Sequence, residues 1–469
     1  MIWDLKKYMG SIAAIEENGN QIRYEELEEF VTEWKEQCKR TLVFQLCENS
    51  IGSLAGYIAM LQAGIVPVMI AKDLEIELFH SLLDTYQPDY IWLPSEQISV
   101  FPDYAIVFSK YKYTLLKTSY GSTEKLSKEL ALLLTTSGST GSPKLVRQSY
   151  SNIRANTESI VTYLKLDASE RPITTLPMNY TYGLSIIHSH LSVGATILLT
   201  EKSLMQKEFW EFFKRERATS FGGVPYIYEM LKKLRFFQMD LPSLRTMTQA
   251  GGKLTEELHK EFAEYAVKQK KNFVVMYGQT EATARMAYLP PEKALEKYGS
   301  MGIAIPGGRF ELIDENGKRI DQENTVGELV YYGANVMLGY AECRNDLEKE
   351  DEQKGRLVTG DMAKRDSDGF YYIVGRKKRF LKLFGKRVNL DEIERLVKTQ
   401  FKEIDCASSG MDDKLWIFVT KESLIKEIKH FITEKIQIHF SAVEVAYIEN
   451  IPKNNAGKTL YVELEKYYK

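Results

Sequence analysis

Residues 130–144 read Leu-Ala-Leu-Leu-Leu-Thr-Thr-Ser-Gly-Ser-Thr-Gly-Ser-Pro-Lys. An apolar run of strand length, Leu130 to Leu134, gives way to hydroxyls and glycines and closes on Pro143 and Lys144. Open α/β sheets place ligands beyond their strand ends. Glycines let backbone N–H groups approach an anion, hydroxyls donate to it, and Lys144 adds charge, which together suit a polyphosphate. A Ser/Gly run by itself is equally a surface loop. The strand before it and the lysine after it favour phosphate. The stretch is not a Walker A sequence, because Gly141 is followed by Ser142-Pro143-Lys144. Gly457-Lys458-Thr459 also fails that pattern, since Pro452 stands where the first glycine is needed.

Outward from this stretch, strand-like and helical patterns alternate. Tyr24, Leu27, Phe30, Val31, Trp34 and Cys38 recur at three- and four-residue spacing and predict an amphipathic helix, followed by a strand from Thr41 to Cys47. The uncharged stretch Ser50 to Ala71 is long enough to raise the question of a membrane span. Gln62, Gly64 and Pro67 interrupt it, so it reads as a buried helix (Ile51 to Ala63), a glycine stop and a strand (Ile65 to Ile70). Tyr90 to Leu93, Ala195 to Thr200 and Phe273 to Met276 are further strand-like runs. Strands alternating with helices imply an α/β fold with a mainly parallel sheet.

Past about Gly307 the texture changes. Glu311 to Asp314, Gly327 to Gly333 and Gly369 to Val374 read as short strands separated by turn residues, a small β-rich subdomain. Arg376-Lys377-Lys378-Arg379, read alone, is a solvated charge run. After it, helix (Asp391 to Lys402), strand (Leu415 to Thr420), helix (Leu424 to Ile438) and strand (Val443 to Tyr447) suggest a small α+β domain.

Composition bounds the function. A chain of 469 residues exceeds one core, and size statistics give about three domains or subdomains. Lys and Arg total 62 against 64 Asp and Glu, so a net charge of −2 makes no case for nucleic acid. Cys38, Cys47, Cys343 and Cys406 are scattered without a C-x-x-C pair, which argues against a disulfide framework or zinc site and for a reducing cytoplasm. Met1 to Lys7 lead into no apolar core, so no signal peptide is expected.

Two further segments carry chemistry. Tyr277-Gly278-Gln279-Thr280-Glu281 follows the strand Phe273 to Met276, where a tyrosine can lie against a flat base and a glutamate can hold Mg²⁺ beside phosphate oxygens. In Thr359-Gly360-Asp361 a carboxylate on a turn can accept from ribose hydroxyls. Each alone is also an ordinary turn. In order, Ser137 to Lys144, Tyr277 to Glu281, Thr359 to Asp361, Gly375-Arg376 and Gly457-Lys458 resemble the adenylate-forming superfamily. That superfamily includes acyl-CoA synthetases, peptide-synthetase adenylation domains and luciferases. The resemblance runs from the helix at Tyr24 to Lys458.

The resemblance implies a large N-terminal domain, 1–377, of parallel-sheet α/β subdomains with the β-rich subdomain at about 307–377. A small mobile α+β C-terminal domain, 378–469, would follow. It implies ATP and Mg²⁺ as cofactors and activation of a carboxylic acid as acyl-AMP. Thr136, Ser137, Gly138, Ser139, Thr140, Gly141 and Lys144 would close over the phosphates. Gly251, Gly252, Tyr277 and Gly278 would line the adenine site. Thr280 and Glu281 would contact phosphate and metal, and Asp361 and Arg376 the ribose. Lys458 would bridge the substrate carboxylate and the phosphate, offsetting the repulsion of two anions. The acid is itself the nucleophile, so no Ser-His-Asp triad is required. Rotation at the hinge, Lys378, would exchange Lys458 for the loop of Lys382, Gly385 and Arg387 during thioester formation.

Leu176 to Gly183 matches the superfamily's acid-pocket region, with Tyr180 where histidine is common and without the aspartate of amino-acid activators. The expected pocket draws on Tyr180, Thr181, Tyr182, Phe221, Gly222 and Gln249, and suits a small, partly polar acid such as a hydroxybenzoate or hydroxyacid. Arg285, just beyond Glu281, is placed to meet a second substrate anion, but reads better as solvated surface. The resemblance implies as thiol acceptor a carrier protein's phosphopantetheine arm or CoA, with the carrier protein preferred, and no carrier serine motif follows before Lys469. A luciferase-like monooxygenase and a non-catalytic nucleotide-binding relative carry the same motifs. Retention of Glu281 and Lys458 speaks against the latter.

Overall fold

Tyr24, Leu27, Phe30, Val31 and Trp34 are buried along one face of the helix Tyr24–Gln37, as their spacing predicts. Glu26 starts it by accepting from the Arg23 backbone N–H at 2.8 Å. The uncharged stretch folds as the helix Ile51–Ala63, capped by Ser50 and stopped by Gly64 at φ +80°, then the strand Val66–Ala71. A Cβ on Gly56 would lie 2.0 Å from Trp92 Nε1, so the glycine is what lets this helix sit against the indole. Among the described residues no helix is long and apolar enough to cross a membrane.

The computed structural model describes residues 2–121, 125–135, 144–383, 386–402, 404–411, 413–453 and 459–468. Thr136, Ser137, Gly138, Ser139, Thr140, Gly141, Gly385 and Lys458 lie outside the described residues. Lys378, Lys382 and Arg387 are described in backbone only.

One compact unit comprises residues through Arg309 together with Tyr331–Leu357. It holds two sheets. In the eight-stranded sheet, Leu42–Cys47 pairs in parallel with Val66–Ala71 and Tyr90–Pro94, and Val66–Ala71 with Leu130–Thr135. The nine-stranded sheet has a parallel centre that includes Ser220–Gly223, Thr246–Gln249 and Asn272–Tyr277. Antiparallel strands finish both sheets, so the mainly parallel α/β reading holds at their centres.

The alternation of strand and helix does not hold after Thr135. The strand Leu145–Ser149 comes first, antiparallel to Leu130–Thr135, and only then the helix Tyr150–Leu164. Arg147 and Gln148 hide this strand in the sequence. Arg147 is fully buried because Glu352 pairs with it and the carbonyls of Leu338, Tyr340 and Lys349 accept from it.

The second unit comprises Phe310–Val330 and the chain from Val358 onward. Thr359-Gly360-Asp361 is not a turn but lies within the strand Arg356–Arg365. Gly360 at φ +72° and a register shift between Met362 and Ala363 bend that strand locally, which the sequence shows as turn-like residues. The helices Leu390–Gln400 and Ile425–Ile436 and strands Lys414–Val419 and Val443–Tyr447 follow the expected order. The hairpin Phe380–Leu383 with Lys386–Asn389 and the strand Cys406–Met411 are additions.

The solvated reading of residues 376–379 fails at Arg379. Its side chain is buried and donates to Asp391 Oδ1 (2.7 Å), Glu394 Oε1 (2.6 Å) and the Ser408 carbonyl (2.7 Å), with its guanidinium carbon 3.7 Å from the Tyr461 ring centre. Burial is tolerated because fixed acceptors meet the guanidinium.

His188 and His190, both on the helix Thr181–Ser192, are buried as neutral imidazoles, and burial lowers their pKa values to about 3 and about 4. As pH falls below 6.5, their ordinary value, the unfolded chain takes up protons that the folded state refuses. Stability is therefore expected to drop between pH 6.5 and about 4, by about 1.4 kcal/mol per pH unit per histidine. Urea melts at pH 7.5, 6 and 5 measure this; equal midpoints across the window would contradict it.

Candidate active site

Three parallel strands set the site. Ser220–Gly223, Thr246–Gln249 and Asn272–Tyr277 run in register, with Gly223 opposite Gln249 and Gln249 opposite Val275. Their carboxyl ends bring Gly222, Gln249, Gly251, Gly252 and Tyr277 to one edge, where α/β sheets bind ligands. Gly251 adopts φ +82°, and a Cβ there would lie 2.6 Å from the Tyr180 hydroxyl. The Gln249 carboxamide, fully buried, donates to the Gly252 carbonyl at 2.7 Å and holds this turn closed.

The loop after Tyr277 is pinned from several sides. A Cβ on Gly278 would fall 1.6 Å from the Ala284 carbonyl oxygen, so the loop folds back on itself only with glycine at this position. Thr283, a β-branched residue, is held at φ +62°, a sparsely populated conformation. The surroundings enforce it. Thr283 donates to the Asn335 carbonyl (2.7 Å), and the Asn335 amide donates to the carbonyls of Ala282 (2.8 Å) and Arg285 (3.1 Å). Gln148 donates to the Thr280 carbonyl (3.0 Å) and the Met337 N–H to that of Glu281 (2.9 Å). Thr280 and Glu281 are thus presented on a rigid support.

Glu281 is joined to Lys144 through a residue that the sequence did not single out. The Tyr340 hydroxyl donates to Glu281 Oε1 at 2.8 Å, and Lys144 Nζ lies 5.8 Å from the Tyr340 ring centre. Lys144 pairs with Glu342 Oε1 at 2.6 Å. Burial, then the Glu281 charge, pushes the Tyr340 hydroxyl well above its ordinary pKa, so it remains a donor. Tyr340 comes from the short strand Gly339–Ala341, which pairs antiparallel with Leu145–Ser149 and sets Tyr340 opposite Val146. No local sequence signal marks that pairing.

Behind this edge lie the residues expected to form an acid pocket. Thr181 donates to the Thr283 carbonyl (3.0 Å), and the Tyr182 hydroxyl meets Thr248 Oγ1 at 2.7 Å. A Cβ on Gly222 would press on that hydroxyl at 2.9 Å. Tyr180 is half-buried, its pKa pushed up to about 12 by burial, and its ring packs edge-on against Tyr182 with centres 6.4 Å apart. Phe221 is buried behind them. Arg285 overturns the solvated-surface reading: it is only 2% exposed. The loop turns inward after Thr283, and Asn156 and Asn335 fix the Arg285 carbonyl.

In the second unit, Asp361 and Arg376 stand opposite each other across two paired strands, Arg376 Nε 3.6 Å from Asp361 Oδ1. Asp361 is buried, whereas Arg376 is exposed.

Among the described residues, no three His, Cys, Asp or Glu side chains converge into a metal site. A single carboxylate such as Glu281 fits a hard cation that takes its remaining oxygens from phosphate and water, the usual habit of Mg²⁺.

Comparisons with known proteins give the family and the fold. The chain is 30% identical over 355 residues to the peroxisomal OPC-8:0-CoA ligase 1 of Arabidopsis thaliana, covering 72% of this chain and 64% of that one. It is 29% identical over 340 residues to the indoleacetate–CoA ligase of Aromatoleum aromaticum, covering 70% and 65%. The chain thus spans just under two thirds of these relatives' length. Its fold is that of the O-succinylbenzoate coenzyme A synthetase of Bacillus subtilis solved with AMP, with a TM-score of 0.79 at 19% identity over 98% of this chain and 97% of that one. Residues 35–341 match the model of the AMP-binding enzyme family, and the chain belongs to that family, within the adenylate-forming superfamily that its motifs resemble.

Proposed function

We propose that this protein is an AMP-forming acid–thiol ligase. A carboxylate oxygen of the substrate attacks the α-phosphorus of ATP, the bond to the β-phosphate oxygen breaks, and pyrophosphate leaves. A thiol then attacks the acyl carbon of the acyl-AMP, AMP departs, and the thiol proton passes to solvent. The observation that carries this reading is the pinned loop that presents Thr280 and Glu281, linked by Tyr340 to Lys144, at the carboxyl edge of a parallel sheet.

In this reading Thr136 to Gly141 and Lys144 hold the phosphates, while Gly251, Gly252, Tyr277 and Gly278 form the adenine wall. Asp361 and Arg376 take the ribose, and Lys458 bridges the two reacting anions. Mg²⁺, where bound at Glu281, offsets phosphate charge. Tyr180, Thr181, Tyr182, Phe221 and Gly222 shape the acid pocket, and Gln249 holds its floor. The domain boundary and hinge lie at Lys378, with Lys382, Gly385 and Arg387 serving the thioester step. The relatives' names, all CoA ligases, support CoA over a carrier protein as acceptor. Four unpaired cysteines support a reducing compartment, the cytoplasm.

ATP–pyrophosphate exchange with Mg²⁺ across aryl, hydroxy, fatty and amino acids tests the first half-reaction; ATP binding without exchange for any acid would refute it. Acid-dependent loss of free CoA thiol tests the acceptor. Exchange without CoA consumption would return the reading to a carrier protein.

Tyr340→Phe keeps the ring beside Lys144 but removes the hydrogen bond to Glu281. Exchange is expected to fall about ten- to a hundredfold, the usual worth of a hydrogen bond to a charged group. The Mg²⁺ concentration for half-maximal exchange should rise as well. An unchanged Mg²⁺ dependence would leave Tyr340 a packing residue only.

A further inference from the structure

Arg285 is a buried cation without a buried anion. Its Nε donates to Ser185 Oγ (3.2 Å) and its Nη1 to the Tyr163 hydroxyl (3.0 Å) and Met276 Sδ (3.1 Å), all neutral acceptors. The guanidinium carbon lies 5.2 Å from the Tyr182 ring centre. Among the described residues, no carboxylate is within ion-pair distance of it. A guanidinium does not give up its proton, and leaving it unpaired in the interior is costly. Arg379 shows how this same chain treats a buried arginine when the need is structural, with two carboxylates placed on it.

The group faces a small cavity of about 10 Å³, lined also by Phe221, Gly222, Ser220, Thr246 and His190. Phe221 and Gly222 are also assigned to the acid pocket, so this cavity adjoins it; the rest of its wall includes the apolar Leu164, Leu166, Pro172 and Ile186. Burial, together with the nearby Arg285 charge, keeps His190 neutral, which leaves Arg285 the one charge on the lining. The space is no more than that of a single water, so an anion that enters it displaces the flanking side chains.

We infer that this cavity beside the acid pocket receives a second anionic group of the substrate, paired with Arg285, so that the acid activated is a short dicarboxylic acid or its close anionic equivalent. This deepens the ligase reading and rests on it. The carboxylate near Thr280 reacts with ATP. The other meets the guanidinium, with the Ser220 and Thr246 hydroxyls as further donors. An acid of equal length ending in a neutral group leaves the cation unpaired and is rejected.

The test compares short aliphatic and aryl dicarboxylic acids with their monomethyl esters, in pyrophosphate exchange and in thermal melts without ATP. Both are run on the wild type and on Arg285→Met, which nearly preserves volume. The wild type is expected to prefer a diacid over its ester by about a hundredfold or more, and the variant to lose that preference while activating neutral acids at least as well. The same diacid should raise the melting temperature of the wild type only. Equal use of diacid and ester by the wild type overturns the inference and leaves the ligase reading intact, as does an unchanged preference in the variant. Diacid stabilisation without exchange upholds the Arg285 site and refutes the ligase reading. Neither exchange nor stabilisation refutes both. If Arg285→Met does not fold, the wild-type diacid-to-ester ratio decides alone.

Discussion

Lys458→Ala is expected to lower acid-dependent pyrophosphate exchange about a hundred- to a thousandfold, the scale on which one well-placed electrostatic group acts. The reason lies in the reaction. A carboxylate must approach an α-phosphate that already carries negative charge, and charge spreads onto the departing pyrophosphate as the bond breaks. A cation between the two anions stabilises that arrangement more than it stabilises the separated reactants, so its loss falls on the chemical step. The second half-reaction has a different electrostatic demand, since a thiol attacks a carbonyl and AMP leaves. Thioester formation from supplied acyl-AMP should therefore be reduced far less. Measuring both half-reactions separates a catalytic lysine from a folding defect. Parallel losses in the two would remove Lys458 from its proposed role.

Gly278→Ala is expected to destabilise the protein by about 3 kcal/mol and to abolish measurable ATP affinity. The added methyl would stand 1.6 Å from the Ala284 carbonyl oxygen, and the obstacle is backbone rather than a movable side chain. Relief requires the loop to shift. The loop is tied through the carbonyls of Thr280, Glu281, Ala282 and Arg285 to Gln148, Met337 and Asn335, so a shift breaks bonds that hold Thr280 and Glu281 in place. Calorimetric titration with Mg-ATP and urea melts read the two effects. A variant that binds ATP normally would show that the loop does not set the nucleotide site.

Much of the fold was legible in local pattern. The helix Tyr24–Gln37, the glycine stop at Gly64 and the strand Asn272–Tyr277 each follow from periodicity or one special residue, because each signal acts within a few positions along the chain. Motif order gave the superfamily for the same reason, since phosphate and metal chemistry needs particular residue types close together in sequence.

What escaped was decided by residues far apart. The strand Leu145–Ser149 was hidden because Arg147 looks exposed until Glu352 and the carbonyls of the 338–349 segment surround it. Arg379 looked solvated until Asp391, Glu394 and Tyr461 closed on it. Tyr340 sits 59 residues from Glu281, and only the pairing of Gly339–Ala341 with Leu145–Ser149 brings the two together. Arg285 is the sharpest case. Its sequence neighbours suit a surface, yet Asn156 and Asn335 turn its backbone inward and bury its charge beneath Tyr182. The sequence by itself determined the α/β class, the order of the motifs and the family. The burial of charge, which depends on partners brought from across the chain, was decided only by the tertiary structure.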